Sequence, residues 1–326
     1  MEVIVLGFYQ KNNLGDESYK DTFPRLFPNH KFHFTESLNQ NLVENCDVVL
    51  LGGGNVLRSS FIEQLKNIKN KKIYGFSVGF EEPPTENLSF FSHIYARDER
   101  TISILKELKI PCSFIPDAAF ILQPNPQHGL NLIKEFFHSE RCNLYSNIIT
   151  VIVNGYILSG GLNCLGRDAF NFIKFSYDFA RVIDETSASF VFIPFGTQIP
   201  FDDRTANAWV ASKCKYWSKN CVVYDRINYQ NALDIISASN LVISSRLHSS
   251  IFSFISGTQF IDITHHSKNE LFLKMVKKEE NSVSFWNFDS RILKEKIEKM
   301  IHLPKHTEYE PYRKMLLEKI NEIHFG

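Results

Sequence analysis

Short apolar runs alternate with amphipathic stretches along almost the whole chain, and this alternation limits the possible folds more than any other feature. Leu241-Val242-Ile243 is apolar and largely β-branched, the pattern of a strand covered on both faces. Such strands alternating with helices build βαβ units and parallel sheets. In the first half, strands are expected at 2–8, 31–35, 47–51, 72–78, 93–96 and 112–115, with helices at 15–27, 55–68, 86–91 and 99–108. The polar, proline-rich stretch at 123–130 reads as a domain linker. Beyond it, strands are expected at 148–153, 190–195, 221–224, 240–244 and 259–263. The accompanying helices fall at 130–139, 168–186, 204–218, 229–238, 246–256, 268–277, 289–301 and 308–323. A chain of 326 residues suits two domains with full cores. The reading is α/β: two open, doubly wound, Rossmann-like domains facing each other across a cleft. The first covers 1–128 and the second 129–307, with a C-terminal helical segment, 308–326, packing back on the first.

The 36 basic residues balance 36 acidic ones, so nothing marks nucleic acid or an anionic membrane as a general partner. Any anion site has to be local. The six cysteines (46, 112, 142, 164, 214 and 221) form no C-x-x-C pair and read as reduced thiols. No apolar run approaches the roughly 18 residues that an integral membrane segment needs. Met1 leads directly into a strand without a signal-peptide pattern, so a cytoplasmic location is expected.

In open α/β sheets, ligands bind beyond the carboxyl ends of strands, where strand order reverses. The strand-to-helix turns are therefore the places to search. Asn240–Gly257 reads as strand, turn and helix, with Ser244 or Ser245 as N-cap and Gly257 as the C-terminal stop. It puts Arg246 and His248 at a helix N-terminus, where unpaired N–H groups and a guanidinium suit a carboxylate or phosphate. The bland account gives Arg246 to surface carboxylates and His248 to a loop cap. After the first strand, Asn13, Gly15 and Asp16 form a turn in which Gly15 allows tight geometry and Asp16 serves as a helix cap. Gly52, Gly53, Gly54 and Asn55 form a glycine-rich loop able to approach a ligand closely, without being a Walker A loop or G-x-G-x-x-G. Arg97 and Asp117 each end a strand, and Arg97 could equally pair with Asp98 or Glu99. Lys268 lies one βα unit after His248. The adjacent His265 and His266 point to opposite faces of a strand, so no metal site is expected.

Together these motifs resemble the polysaccharide pyruvyl transferases. Asn13-Leu14-Gly15-Asp16 is similar to that family's N-x-G-D turn, Leu50–Gly54 to its G-G-G loop, and Ala96-Arg97-Asp98 to its strand-end arginine. Pro116-Asp117-Ala118-Ala119 resembles its Asp-Pro-Ala turn, and Ser245-Arg246-Leu247-His248 its most specific block, with Lys268 at the place of its following lysine. Ala118 stands where a proline is usual, Ser249 and Phe252 replace smaller residues, and Gln259-Phe260 lacks a proline.

The resemblance implies a GT-B-like fold and transfer of pyruvate from phosphoenolpyruvate to two hydroxyls of a sugar or glycan, leaving a cyclic ketal. Phosphoenolpyruvate carries two anionic groups, so its site needs at least two cations. Arg246, Arg97 and Lys268, with Ser245, are the expected binding set. His248 is the expected general acid or base, and Asp16 or Asp117 would take a proton from the sugar hydroxyl. No cofactor or metal is required. Such a protein would work in the cytoplasm, free or at the surface of a membrane where glycans are assembled. Two other readings are a glycosyltransferase using a nucleotide sugar and a non-catalytic glycan-binding member of the fold. Saturation by phosphoenolpyruvate separates the first, and binding without turnover supports the second.

Overall fold

The computed structural model describes residues 1–80, 82–157 and 167–325, the side chains of 167–169 excepted. Cys164, one of the thiols above, and Gly326, in the C-terminal segment, lie outside the described residues. In chain order, the first part runs β1 (Glu2–Leu6), α1 (Leu14–Leu26), β2 (Lys31–Thr35), α2 (Gln40–Glu44), β3 (Val48–Gly54) and α3 (Ser59–Leu65). There follow β4 (Lys72–Val78), β5 (His93–Ala96), α4 (Glu99–Glu107), β6 (Cys112–Phe114) and α5 (Pro126–Ser139). The next elements are β7 (Ile148–Ile152), α6 (Arg167–Glu185), β8 (Ser189–Phe192), α7 (Asp203–Ala211), β9 (Asn220–Val222) and α8 (Tyr229–Ala238). The chain closes with β10 (Leu241–Ser244), α9 (Leu247–Ile255), β11 (Gln259–Thr264), α10 (Ser267–Met275), β12 (Ser282–Ser284), α11 (Ser290–Met300) and α12 (Glu310–Ile320).

The chain divides into two compact units. Unit 1 comprises Met1–Lys11, Gly15–Leu122 and Tyr309–Gly326; unit 2 comprises Asn12–Leu14 and Gln123–Glu308. Each holds one six-stranded sheet, ordered β2-β1-β3-β4-β5-β6 in unit 1 and β12-β11-β10-β7-β8-β9 in unit 2, with every pairing parallel. The order reverses between β1 and β3 in the first sheet and between β7 and β10 in the second. Those reversals open a crevice at the strands' carboxyl ends because the flanking helices diverge to opposite faces.

Burial explains the strands. All seven residues of β3 and all five of β7 are buried, so helices cover both faces. In unit 1 the aromatic packing recruits the C-terminus: the Phe325 ring lies 4.8 Å from Phe27 and 5.2 Å from Tyr74, and Tyr312 lies 5.7 Å from Phe120.

Several local expectations are corrected. Residues 86–91 form no helix, and the helix expected over 204–218 stops at Ala211, where the chain turns through Ser212 to Cys214. The expected linker at 123–130 largely belongs to α5, because Asn125 caps the helix through the His128 N–H and Pro126 fits its first turn. The three glycines are the end of β3, and Gly53 and Gly54 have φ of 70° and 86°. Gly15 makes no tight turn. It lies inside α1, and Gln10 and Asn12 carry the positive φ values, 63° and 51°. Asp16 is consequently in the first turn of α1 instead of capping it.

Gly257 does stop α9. Its φ is 68°, its N–H reaches Phe254 O at 3.0 Å, and Thr258 N–H reaches Ser253 O at 2.9 Å. A Cβ there would stand 2.2 Å from the His306 carbonyl oxygen. Gly257→Ala is therefore expected to destabilise the protein by at least about 1–2 kcal/mol, the cost of a left-handed backbone for a residue with Cβ. A lowered urea midpoint checks this, and an unchanged midpoint contradicts it.

Candidate functional site

In unit 2 the crevice between β7 and β10 is built around a buried carboxylate. Ser245 follows β10, and its hydroxyl accepts from Asn154 N–H at 2.8 Å, tying the ends of the two strands. Neither serine is the N-cap. Arg246 occupies that position in extended backbone, its N–H bonded to Ser244 Oγ at 3.0 Å. The Arg246 guanidinium turns back to Asp203 at the start of α7. Nε donates to both carboxylate oxygens at 3.1–3.2 Å, Nη2 donates to Oδ1, and Nη2 also reaches Phe201 O at 3.3 Å. Asp203 is wholly buried and also accepts from the N–H groups of Gly155 (2.7 Å), Phe195 (2.9 Å) and Gly196 (2.8 Å). One carboxylate thus fixes the turns after β7 and β8 and the strand-end arginine. The segment Asn12–Leu14 joins this array: Asn13 bridges Gly196, and Leu14 N–H donates to Phe195 O at 2.8 Å.

The neighbouring β11 brings in His265 and α10. Asp262, wholly buried, accepts from Ser250 (2.7 Å), Asn269 (2.8 Å) and Thr264 (2.8 Å), linking α9 to α10. Burial raises its pKa above the usual carboxylate range despite those bonds. Lys268 is in the first turn of α10, its N–H on His266 Nδ1 at 3.3 Å. His265 Nε2 lies 3.3 Å from Asn154 Nδ2. Burial first, then the charges of Lys268 and Arg246 among its neighbours, lower the His265 pKa to about 3, so its imidazole is neutral at physiological pH. His248 is in the first turn of α9 and 8% exposed. In unit 2, Ser245 follows β10, Arg246 caps α9, His248 stands in the first turn of α9 and Lys268 in that of α10, with the Arg246 side chain 18% exposed. Cations at helix amino ends suit a small, multiply charged anion.

Unit 1 builds a second buried array. Arg97, ending β5, donates through Nη1 to Asp117 (2.7 Å) and Tyr19 OH (3.1 Å), and through Nη2 to Asn55 (2.9 Å). It pairs with neither Asp98 nor Glu99, since Asp98 caps α4 through Thr101 N–H at 2.7 Å. Burial opposes the Arg97 charge most strongly, but Tyr19 and Asp117 outweigh it and raise its pKa. Burial, then Asp117, raises the pKa of the Tyr19 phenol, which stays protonated and donates to Asp117 at 2.9 Å. Ser77 has φ of 57° beside an irregularity in the β4–β5 pairing, and its hydroxyl accepts from Ala118 N–H at 3.0 Å, which seats Asp117. A Cβ on Gly53 would fall 2.2 Å from the Tyr19 ring, and one on Gly54 3.1 Å from Asp16 Oδ1. The glycines thus let β3 approach α1 where Asp16 and Tyr19 stand.

Of the residues read from the sequence, the structure joins Arg97, Asp117 and Asn55 directly and sets Asp16 beside Gly54. It assigns Asn13 to unit 2 and Gly15 to unit 1. Sequence reasoning missed Asp203, Asn154, His265 and Tyr19 as site residues. Asp203 reads locally as one more acid in the first turn of a helix, and Tyr19 as one more core aromatic. Among the described residues, no group of three or more His, Cys, Asp or Glu could hold a metal ion, and no helix is long and apolar enough to cross a membrane.

The fold is shared with sugar-nucleotide enzymes of known structure. UDP-GlcNAc 2-epimerase from Methanocaldococcus jannaschii superposes with a TM-score of 0.60 at 12% identity, over 100% of each chain. The Rickettsia bellii UDP-N-acetylglucosamine 2-epimerase gives 0.57 at 10%, over 98% of this chain and 94% of that one. The Neisseria meningitidis enzyme bound to UDP-GlcNAc gives 0.52 at 12%, over 99% of each. At such identities the likeness defines the fold class, two Rossmann-like domains of the GT-B kind, and nothing more. No curated protein sequence matches the chain. The family model for polysaccharide pyruvyl transferases matches residues 2–267, and the chain belongs to that family.

Two predictions follow from this geometry. Asp203→Asn removes the buried carboxylate that holds a part-buried guanidinium and three backbone N–H groups, and should cost about 3 kcal/mol, read as a lowered denaturation midpoint; a loss within experimental error contradicts the role given to Asp203. His265 has a folded pKa of about 3 against an ordinary 6.5. Between those values the unfolded chain binds the extra proton, so this stability is present above pH 6.5 and lost as pH falls toward 3. His265→Asn should flatten that slope by up to about 1.4 kcal/mol per pH unit, measured as parent and variant stability across that range. Parallel pH profiles contradict it.

Proposed function

We propose that this member of a transferase family moves the pyruvyl group of phosphoenolpyruvate onto two hydroxyls of a sugar or glycan, forming a cyclic ketal. The observation that carries the reading is Arg246 at the β7–β10 reversal. Asp203 takes its Nε edge, and among the described residues nothing accepts a hydrogen bond from Nη1. With Nη2 also donating to Phe201 O, a guanidinium fixed along one edge presents Nη1 as a charged donor for carboxylate or phosphate. Lys268 adds a point charge and Ser245 a hydroxyl. Arg97, in unit 1, has its charge already balanced by Asp117.

The reaction forms two bonds from C2 of the enolpyruvyl group to sugar oxygens and breaks the bond from C2 to the phosphate oxygen. One hydroxyl proton is made good at C3, which becomes a methyl group; the other leaves with inorganic phosphate. His248, at a helix amino end in the same block as Arg246, is assigned to proton delivery. Asp16 and Asp117 are the carboxylates assigned to take a proton from the sugar hydroxyl, Asp117 already accepting from Arg97 and Tyr19.

Lys268→Ala removes one charge-assisted contact and is expected to weaken phosphoenolpyruvate binding by roughly 10- to 150-fold, about 1.5–3 kcal/mol. Arg246→Lys should weaken it comparably, because a lysine cannot keep the two-point bond to Asp203 and still donate to an anion. Direct titration checks both, and parental affinity in both removes these cations from the donor site. For His248→Gln, the single-turnover rate should fall about 10²- to 10⁴-fold with little change in donor affinity. A nearly parental rate makes His248 a binding residue only.

A further inference from the structure

Unit 2 carries a second concavity, between α6 and the turn from β12 into α11, with a volume of about 670 Å³. That lies within the range of ligand pockets. Its wall includes Trp286, 50% exposed, and Tyr177, 57% exposed. Two large aromatic rings left half in water along one concavity offer apolar faces with polar edges, as ligand sites do. The base here is rigid: Phe285, 2% exposed, meets the Trp286 ring edge-on at 5.1 Å, and Phe175 and Phe288 pack beneath at 4.8 Å. The Lys213 ammonium lies 5.4 Å from the Tyr177 ring centroid and steadies it.

Two further properties define the occupant. The groove's charges are largely answered internally: Lys174 and Arg181 both pair with Asp178, and Arg291 pairs with Asp289. A phosphate or nucleotide would have to compete for those cations, whereas a neutral polyhydroxylated chain would not. The side-chain amides of Asn171 and Asn287 line the same groove, and an amide both donates to and accepts from hydroxyls. The groove is tied to the candidate site through Trp286, whose indole N–H donates to the His265 carbonyl at 3.3 Å. We infer that this groove binds sugar residues of the glycan acceptor, with Trp286 and Tyr177 as stacking faces and Asn171 and Asn287 as hydroxyl partners. The inference rests on the glycan-acceptor reading above.

The test uses the full chain and an array of immobilised neutral hexose and N-acetylhexosamine oligomers, with phosphoenolpyruvate titrated separately on the same samples. The parent should bind at least one oligomer class. Trp286→Ala and Tyr177→Ala should each weaken that binding about tenfold or more. Trp286→Phe, which keeps an aromatic face, should retain most of it and shows that loss in the alanine variant is not misfolding. Tyr177→Ala should leave phosphoenolpyruvate affinity unchanged. Oligomer binding that survives both alanine substitutions overturns the groove, as does a parent that binds none of the oligomers. Binding to vesicles of anionic and zwitterionic phospholipid that Trp286→Ala abolishes, without oligomer binding, also overturns it and makes the face a membrane contact. A failed phosphoenolpyruvate titration with intact, Trp286-dependent oligomer binding would instead sink the donor reading and leave the groove standing.

Discussion

A buried aspartate facing a strand-end arginine is the interaction on which each unit's site depends. In unit 2 it is Asp203 with Arg246, in unit 1 Asp117 with Arg97. Burying two charges is costly, and attraction alone rarely offsets it. What offsets it here is the number of additional partners. Asp203 takes three backbone N–H groups besides the guanidinium, and Asp117 takes the Tyr19 hydroxyl and the Ala119 N–H at 2.9 Å. The pairs fix the turns at the carboxyl ends of strands, where a loose backbone would let the arginine swing into solvent.

That rigidity has a chemical use. A guanidinium already oriented loses little conformational freedom when an anion binds, so more of the contact energy appears as affinity. The same logic applies to His265, whose neutrality keeps a third positive charge out of a region already holding Arg246 and Lys268. The helix amino ends of α9 and α10 then supply field without adding mobile charge.

Much of this was legible in the sequence because it rests on local pattern. The strand runs, the Gly257 stop and the placing of Arg246, His248 and Lys268 at helix starts all follow from apolar periodicity and capping chemistry. The same reasoning misplaced Gly15 and Asp16, because the turn geometry was carried by Gln10, which no composition rule singles out for a left-handed backbone, and by Asn12, a type that adopts it without needing a glycine nearby. It set the domain break at the proline-rich stretch, where the chain does pass between units after Leu122, but missed that α5 begins there, because Pro126 serves equally at a helix start. Asp203, Tyr19 and Asn154 were invisible for a different reason. Their partners lie far along the chain, Asp203 meeting Arg246 43 residues later and Tyr19 meeting Asp117 98 residues later, and one sequence carries no sign of such pairing.

The proposed phosphoenolpyruvate site in unit 2 rests on a fixed arginine and a helix-borne lysine. Calorimetric titration of the unmodified chain with phosphoenolpyruvate and, separately, with a UDP-sugar tests it most directly. The account predicts saturable binding of phosphoenolpyruvate, weakened by added salt as charge-assisted contacts require, and no saturation by the UDP-sugar. Saturation by the UDP-sugar with no heat from phosphoenolpyruvate would contradict it.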